Sequence, residues 1–230
     1  MTAPAARRGR GERAGLDRAA IIDAAREIDP AALTMQSVAD RLGVDRKALH
    51  HHVSGRDALL ELLAEDVFLA HMSRTPIPAD ADWRDACRRF AEGMRAALLA
   101  SGALAEHFRT SSQVTIAAVR PAEIVIERLL SAGFDDETAG RIILLLTTIA
   151  TGFAREQFAA AGAGGHPQVT HFREMLSEAR VDELGVLRRL DSSGFDAYGE
   201  AQFAFDVDAV VTAMSARLPA APSAAPSLAD

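Results

Sequence analysis

The sequence predicts an all-α fold in two parts, a small helical head followed by a larger helical body. Three observations carry that prediction. Apolar residues recur at helical spacing along most of the 230 residues. Alanine is abundant and β-branched runs are few, which favours helix over strand, and neither a convincing strand nor an internal repeat is found. Capping residues and helix breakers separate the apolar stretches.

Residues 1–15, built of Ala, Arg, Gly and Pro around Arg7-Arg8-Gly9-Arg10, have no apolar face to bury and are expected to form a disordered basic arm. The first helix is expected over residues 16–28, where Leu16, Ala20, Ile21, Ala24, Ala25 and Ile28 align, and Asp29-Pro30 stops it. Thr34 can cap a second helix carrying Met35, Val38, Ala39 and Leu42. Gly43 breaks that helix, and Asp45 can cap a third that carries Arg46, Lys47, His50, His51 and His52. Ser54 with Asp57 is a capping signal for a fourth helix, which runs through Leu59, Leu60, Leu63, Val67 and Phe68 to about Met72.

Thr75-Pro76-Ile77-Pro78 marks the junction between a head at 16–72 and a body at 73–218. Asp82 opens a fifth helix to about residue 100, with Trp83, Cys87, Phe90, Met94, Ala97 and Leu98 on one face and Ser101-Gly102 at its end. A short helix follows at 104–110, residues 111–120 are ambiguous, and Pro121 is placed at the start of a helix that ends at Gly133. Asp135 caps a long helix to about residue 161. Its centre, from Ile142 to Ile149, is apolar nearly all round and must be covered on every side, by the body or by a second subunit. A glycine-rich loop at 161–167, weaker helices near 172–179 and 181–190, and a strong helix over 200–218 complete the body. The Ala-, Pro- and Ser-rich residues 219–230 are expected to be a disordered tail.

Net charge is −7, but residues 1–56 carry +3 and residues 57–230 carry −10. A mildly basic front on an acidic body fits a small nucleic-acid-reading head, although acidity also serves solubility. No run of 18 uncharged apolar residues occurs, so no membrane-spanning helix is expected. Cys87 is the sole cysteine, so no internal disulfide is possible; without an export signal, a cytoplasmic location is expected. No G-x-S-x-G, P-loop or dinucleotide fingerprint is present, and the glycines at 162–165 lack a preceding strand and a phosphate-binding lysine. No enzyme activity and no cofactor are therefore expected, although a triad assembled in space is invisible at this level. Three consecutive histidines on a helix point in different directions, so no metal site is expected there.

Residues 34–57 concentrate what the chain reveals. Two short helices broken at Gly43, the second presenting Arg46, the histidines and Lys47, the only lysine of the chain, look like a helix-turn-helix built to meet DNA. The arginine arm either enters the minor groove beside it or is a solvated tail.

At residues 16–72 this pattern resembles the TetR family of one-component transcriptional repressors. Leu33-Thr34-Met35, Val38-Ala39, Leu42-Gly43-Val44, Ala48-Leu49, His52-Val53 and Asp57-Ala58-Leu59-Leu60 carry the resemblance. The body is similar to the tetracycline-repressor type of C-terminal domain through Trp83, Ala97-Leu98-Leu99, Gly133-Phe134 and residues 203–218. The resemblance implies a homodimer that places two recognition helices in successive major grooves of a palindromic, double-stranded operator. The helices near 136–161 and 198–218 would pair with their copies as a four-helix bundle, and an unknown small-molecule effector in the body would release the DNA. Two alternatives stand beside it: a regulator without such an effector, controlled by a protein or acting as an activator, and a helical enzyme or binding protein with an incidental helix-turn-helix.

The resemblance implies DNA-binding roles for Thr34 and Gln36 at the start of the second helix and for Arg46, Lys47 and Ala48 on the third. It extends them to His50 and His51 beside it and to Arg56 before the fourth. Arginine or lysine can bond guanine or neutralise phosphate, whereas alanine can only touch a thymine methyl. The 29–33 link is shorter than is usual in the family, and His50 replaces a common tyrosine, so protonation would strengthen its phosphate contact. In the body the resemblance points to Met72, His107 and Glu156 as ligand positions, and an apolar stripe of Phe90, Met94, Phe108, Leu145, Thr148 and Phe153 is the candidate lining of a cavity. His107 falls near the place where tetracycline-binding relatives hold a ligand-borne magnesium, and Glu156 near a second acidic position used from the partner subunit. Met72 stands where those relatives have a drug-gripping histidine, which implies a pocket not tuned for tetracycline. The plain alternative makes His107 a core histidine, Glu156 a surface carboxylate, and Phe90, Met94, Phe108 and Thr148 ordinary packing.

Overall fold

The computed structural model describes residues 16–105, 115–161, 165–180 and 183–218. Among these are ten α-helices, one short 3-10 turn at Gly102–Leu104, and no strand. The basic arm, the tail and most of the helix expected at 104–110, His107 and Phe108 included, lie outside the described residues. The chain divides into two compact units, one running to Asp66 and one beginning at Val67.

In the first unit, α1 (Arg18–Arg26) begins later than expected because Asp17 is the cap, its carboxylate accepting from the Ala20 N–H at 2.8 Å. In α2 (Met35–Leu42) the cap is reciprocal. Thr34 Oγ1 accepts from the Ser37 N–H, and Ser37 Oγ accepts from the Thr34 N–H, so serine serves where glutamate is usual. Gly43 closes α2 at φ +65°, a left-handed conformation that side chains other than glycine adopt at a cost. The third helix, α3 (Arg46–Leu49), is a single turn capped by Asp45. His50 ends it, and His51 and His52 lie beyond it, correcting the expectation that all three histidines ride the helix. The ladder tightens there to i→i−3 bonds (His52 N–H to Leu49 O, 2.9 Å) as the chain turns Val53 into the core.

The next helix, α4 (Arg56–Met72), starts from Gly55, whose carbonyl accepts from the Leu59 N–H at 3.1 Å. Gly55, rather than Ser54, therefore holds the cap position. The core of the first unit is Ile21, Ala25, Leu33, Val38, Ala39, Leu49, Leu59 and Leu60, each with at most 2% exposure. Its rim is tied by a two-pronged bond from Arg26 to Asp66, both prongs at 2.7 Å.

The second unit is organised on α5 (Trp83–Ser101), capped by Asp82 through the Asp85 N–H at 2.8 Å. Against it pack α6 (Ile116–Ser131), α7 (Asp136–Ala161) and, near the chain's end, α10 (Glu200–Ser215). Between the last two lie α8 (Pro167–Glu178) and α9 (Gly185–Ser192). Pro121 does not start α6; it sits inside it, since Thr115 caps the helix well before it. The proline ring removes one ladder bond there and the helix tolerates it. Asp135 caps α7 through the Thr138 N–H, at 2.7 Å. Helix α8 begins earlier than expected because the His166 ring accepts from the Gln168 N–H and Pro167 takes the first helical position.

Trp83 meets Phe134 edge to face at 5.1 Å, and Cys87, Phe90, Leu129 and Leu146 fill the centre. Burial pushes the Cys87 thiol up to about 12, so it remains protonated and serves as packing. Helix α7 buries one stripe, Ala139, Ile142, Leu146, Ala150 and Ala154, while Leu144 stays 67% exposed. Among the described residues it is the one helix long and apolar enough, by length and composition, to cross a membrane. That helix packs on α5, α6 and α10, with 22% of its most apolar span buried.

Candidate nucleic-acid interface and ligand cavities

The face built on α3 is held from beneath and open from above. Leu49 and Val53, 1% and 3% exposed, anchor the turn in the core. Arg46, Lys47, His50, His51 and His52 are exposed, and Ala48 is half-buried. Among the described residues of this unit, Arg18 meets Glu65, Arg26 meets Asp66 and Asp23, and Arg41 meets Glu27, while Arg56 turns to backbone carbonyls. Among the described residues the Arg46 and Lys47 side chains have no such partner. Two unneutralised cations on one turn form a surface suited to an anion such as phosphate.

The other expected contacts are already engaged. The Thr34 hydroxyl caps α2, and the Gln36 amide donates to Asp40 Oδ1 at 2.6 Å. Arg56 donates to the backbone carbonyls of Leu33 and Pro30. Its place one residue from a capping glycine gave no sign of that partnership.

In the second unit the described residues of the expected ligand set lie at different depths. Phe90 is 2% exposed in the core, Met72 packs its sulfur against Gly93, and Met94 is half-buried. Thr148 and Glu156 line a shallow groove of about 420 Å³ with Phe153, Tyr198 and Gln202. A larger cavity of about 800 Å³ opens among α5, α7, α8, α9 and residues 194–200, with Leu99, Val169, Phe172 and Phe195 as apolar walls.

Its polar pole is not foreseen from the sequence. Arg95, 7% exposed, forks onto both oxygens of Glu200, donates to Gln157 Oε1 at 3.0 Å and stacks over Phe203. His166, also 7% exposed, lies on Tyr198 at 4.0 Å. Its Nδ1 accepts from the Gln168 N–H, which assigns the ring proton to Nε2, donating to Glu156 Oε2 at 2.8 Å. Arg155 first, and then His166, hold the Glu156 carboxyl below its ordinary value. The one available signal was Arg95 itself, an arginine on the apolar face of α5 between Phe90 and Leu98.

The Arg95 fork holds the Glu200 carboxyl below its ordinary value of 4.5. A carboxyl whose folded pKa is depressed contributes stability above its unfolded pKa and loses it as pH falls through the folded one. As pH falls from the ordinary carboxylate range through the folded pKa, melting temperature should therefore fall faster for the wild type than for Glu200→Gln. Superimposable acid limbs for the two proteins would show that this pair contributes nothing to acid stability.

Residues 75–214 match the family model of the tetracyclin repressor-like C-terminal domain. The chain belongs to the TetR family. It is thus a TetR-family transcriptional regulator. This TetR-family chain is similar to the class A tetracycline repressor from transposon 1721 of Escherichia coli. The two are 29% identical over 199 residues, 82% of this chain and 86% of that protein. It is 30% identical to the class C repressor of Escherichia coli over 169 residues, 67% of this chain and 74% of that one. Among solved structures, the TetR-family protein ActR of Streptomyces coelicolor in complex with actinorhodin superimposes with a TM-score of 0.70. The match has 24% identity and covers 92% of this TetR-family chain and all of that one, a likeness of fold.

Proposed function

We propose that this TetR-family regulator is a ligand-responsive repressor. It binds a palindromic operator as a homodimer and is released by a small molecule held in its second unit. The observation that carries the reading is the pair of unneutralised cations, Arg46 and Lys47, on a turn pinned by buried Leu49. Arg46 reads a base edge or clamps a phosphate, Lys47 neutralises phosphate, Ala48 meets a thymine methyl, and Gln36, His50 and His51 flank them.

Pairing of two chains is supported by the outer faces of α7 and α10. Leu144 and Phe205 are each 67% exposed and Leu145 44%, and Ala201, Ala204, Ala209 and Ala213 are exposed on α10. An apolar and small-residue face of this kind suits a second helix lying close against it.

Effector binding is supported by the 800 Å³ cavity, which lies within the range of sites for drug-sized ligands. The fold likeness to ActR, whose structure holds actinorhodin, agrees with it. The ligand acts by binding the DNA-free form more tightly; moving the population from 1:99 to 99:1 needs a preference of about 10⁴-fold.

The test is selection of duplexes from a random-sequence pool by the full chain. A palindrome should emerge, bound with an affinity that falls steeply as salt rises. A pool that stays unenriched would overturn the operator reading. A thermal-shift screen against small molecules, repeated with the selected duplex present, then asks whether a stabilising compound also displaces the DNA.

A further inference from the structure

We infer that Arg56 is a positioning residue for the DNA-reading helix pair, tying the α1–α2 link to the start of α4 rather than meeting phosphate. The inference rests on the operator-binding function proposed for this chain. The link is short and weakly self-supporting. The Asp29 carboxylate accepts from the Ala31 N–H at 2.8 Å, the Ala32 N–H reaches Asp29 O at 2.9 Å, and the closing bond from the Leu33 N–H to Pro30 O is long, at 3.4 Å. The ladder of α2 begins only at the Thr34 carbonyl, so the carbonyls of Pro30 and Leu33 belong to no helix.

Arg56 supplies what the link lacks. Its Nε donates to Leu33 O at 2.8 Å and its Nη2 to Pro30 O at 3.3 Å. A planar fork spanning two carbonyls three residues apart fixes both their separation and their direction. Leu33 is fully buried, and the next residue is the cap of α2. Pinning Leu33 therefore sets the origin of α2 and, through the Gly43 turn, the origin of α3. An arginine reserved for phosphate would keep its fork open, as Arg46 does.

Arg56→Met keeps the length and removes every donor; Arg56→Lys keeps the charge but cannot span both carbonyls. Both full-length variants should bind the duplex selected by the wild type roughly tenfold more weakly, the reduction expected for hydrogen bonds from a charged group. The slope of log affinity against log salt should be unchanged in Arg56→Met. In DNA-free protein, amide exchange across residues 30–38 should accelerate in both variants while peptides from α5 and α7 keep wild-type rates.

Restoration of full affinity by lysine overturns the inference. So does a shallower slope in Arg56→Met, by about 0.9 for each phosphate no longer neutralised, with exchange at 30–38 unchanged. Should the methionine variant lose protection everywhere, the lysine variant decides alone. Should the wild type enrich no duplex, the operator reading fails while the exchange data still decide the clamp.

Discussion

Replacing Leu144 and Phe205 together by aspartate should turn the proposed dimer into a monomer and lower operator affinity by about 10²–10⁴-fold, the advantage gained when two linked heads bind two half-sites. Both side chains are 67% exposed in the single chain, on helices whose opposite stripes are already packed. Fully burying a leucine or phenylalanine stabilises by about 1.5–3 kcal/mol, and in a symmetric pair each residue is buried twice. Aspartate forfeits that burial and places like charges across the interface. Sedimentation velocity reads the mass directly: the variant should sediment as one chain, the wild type as two. A variant that remains a dimer would move the pairing surface elsewhere. A monomer with undiminished affinity would end the two-headed reading of the operator.

The second large effect belongs to α3. Arg46→Ala should cost about 1–3 kcal/mol of operator affinity and relax preference at one base pair of each half-site. Lys47→Ala should weaken all sequences alike and flatten the salt dependence by about 0.9 for each phosphate left without its cation. Neither side chain supports the fold, because Leu49 and Val53 hold the turn, so melting temperatures should stay at the wild-type value. Selection repeated with each variant separates the two roles. An Arg46→Ala profile identical to wild type would take Arg46 off the base edge, and a specificity change in Lys47→Ala would put lysine there instead.

What could be read in advance and what could not divide along physical lines. Thr34, Gly43, Asp45, Asp82 and Asp135 sit where the sequence places them because a cap is a bond within three or four residues. The stretches that misled are those where two local signals compete. Pro121 is as acceptable to a helix's first turn as Thr115 is to its cap, and the cap prevails. Ser54 offers a capping hydroxyl, but the bend into α4 is made at Gly55. The helix expected near 172 starts earlier because His166 and Pro167 begin it, a pairing that hydrophobic spacing does not weigh.

The candidate site divides in the same way. That Arg46 and Lys47 stand on a short turn was legible; that they are the unneutralised cations of that face was not, since neutralisation depends on where Glu65, Asp66 and Glu27 come to lie. The expected ligand set combined family positions with an apolar stripe read along the chain. The structure sets Phe90 in the core and Thr148 and Glu156 in a groove.

The amino-acid sequence by itself determined the helical class of the chain, the order of its helices and the turn that carries Arg46 and Lys47. Those follow from periodicity and from bonds spanning three or four positions. Tertiary structure alone decided which polar groups are engaged, through partners 23 residues apart for Arg56 with Leu33 and 105 for Arg95 with Glu200. Such pairings are chosen by packing, because a cation, buried as Arg95 is or exposed as Arg56 is, bonds the acceptors that the fold brings beside it.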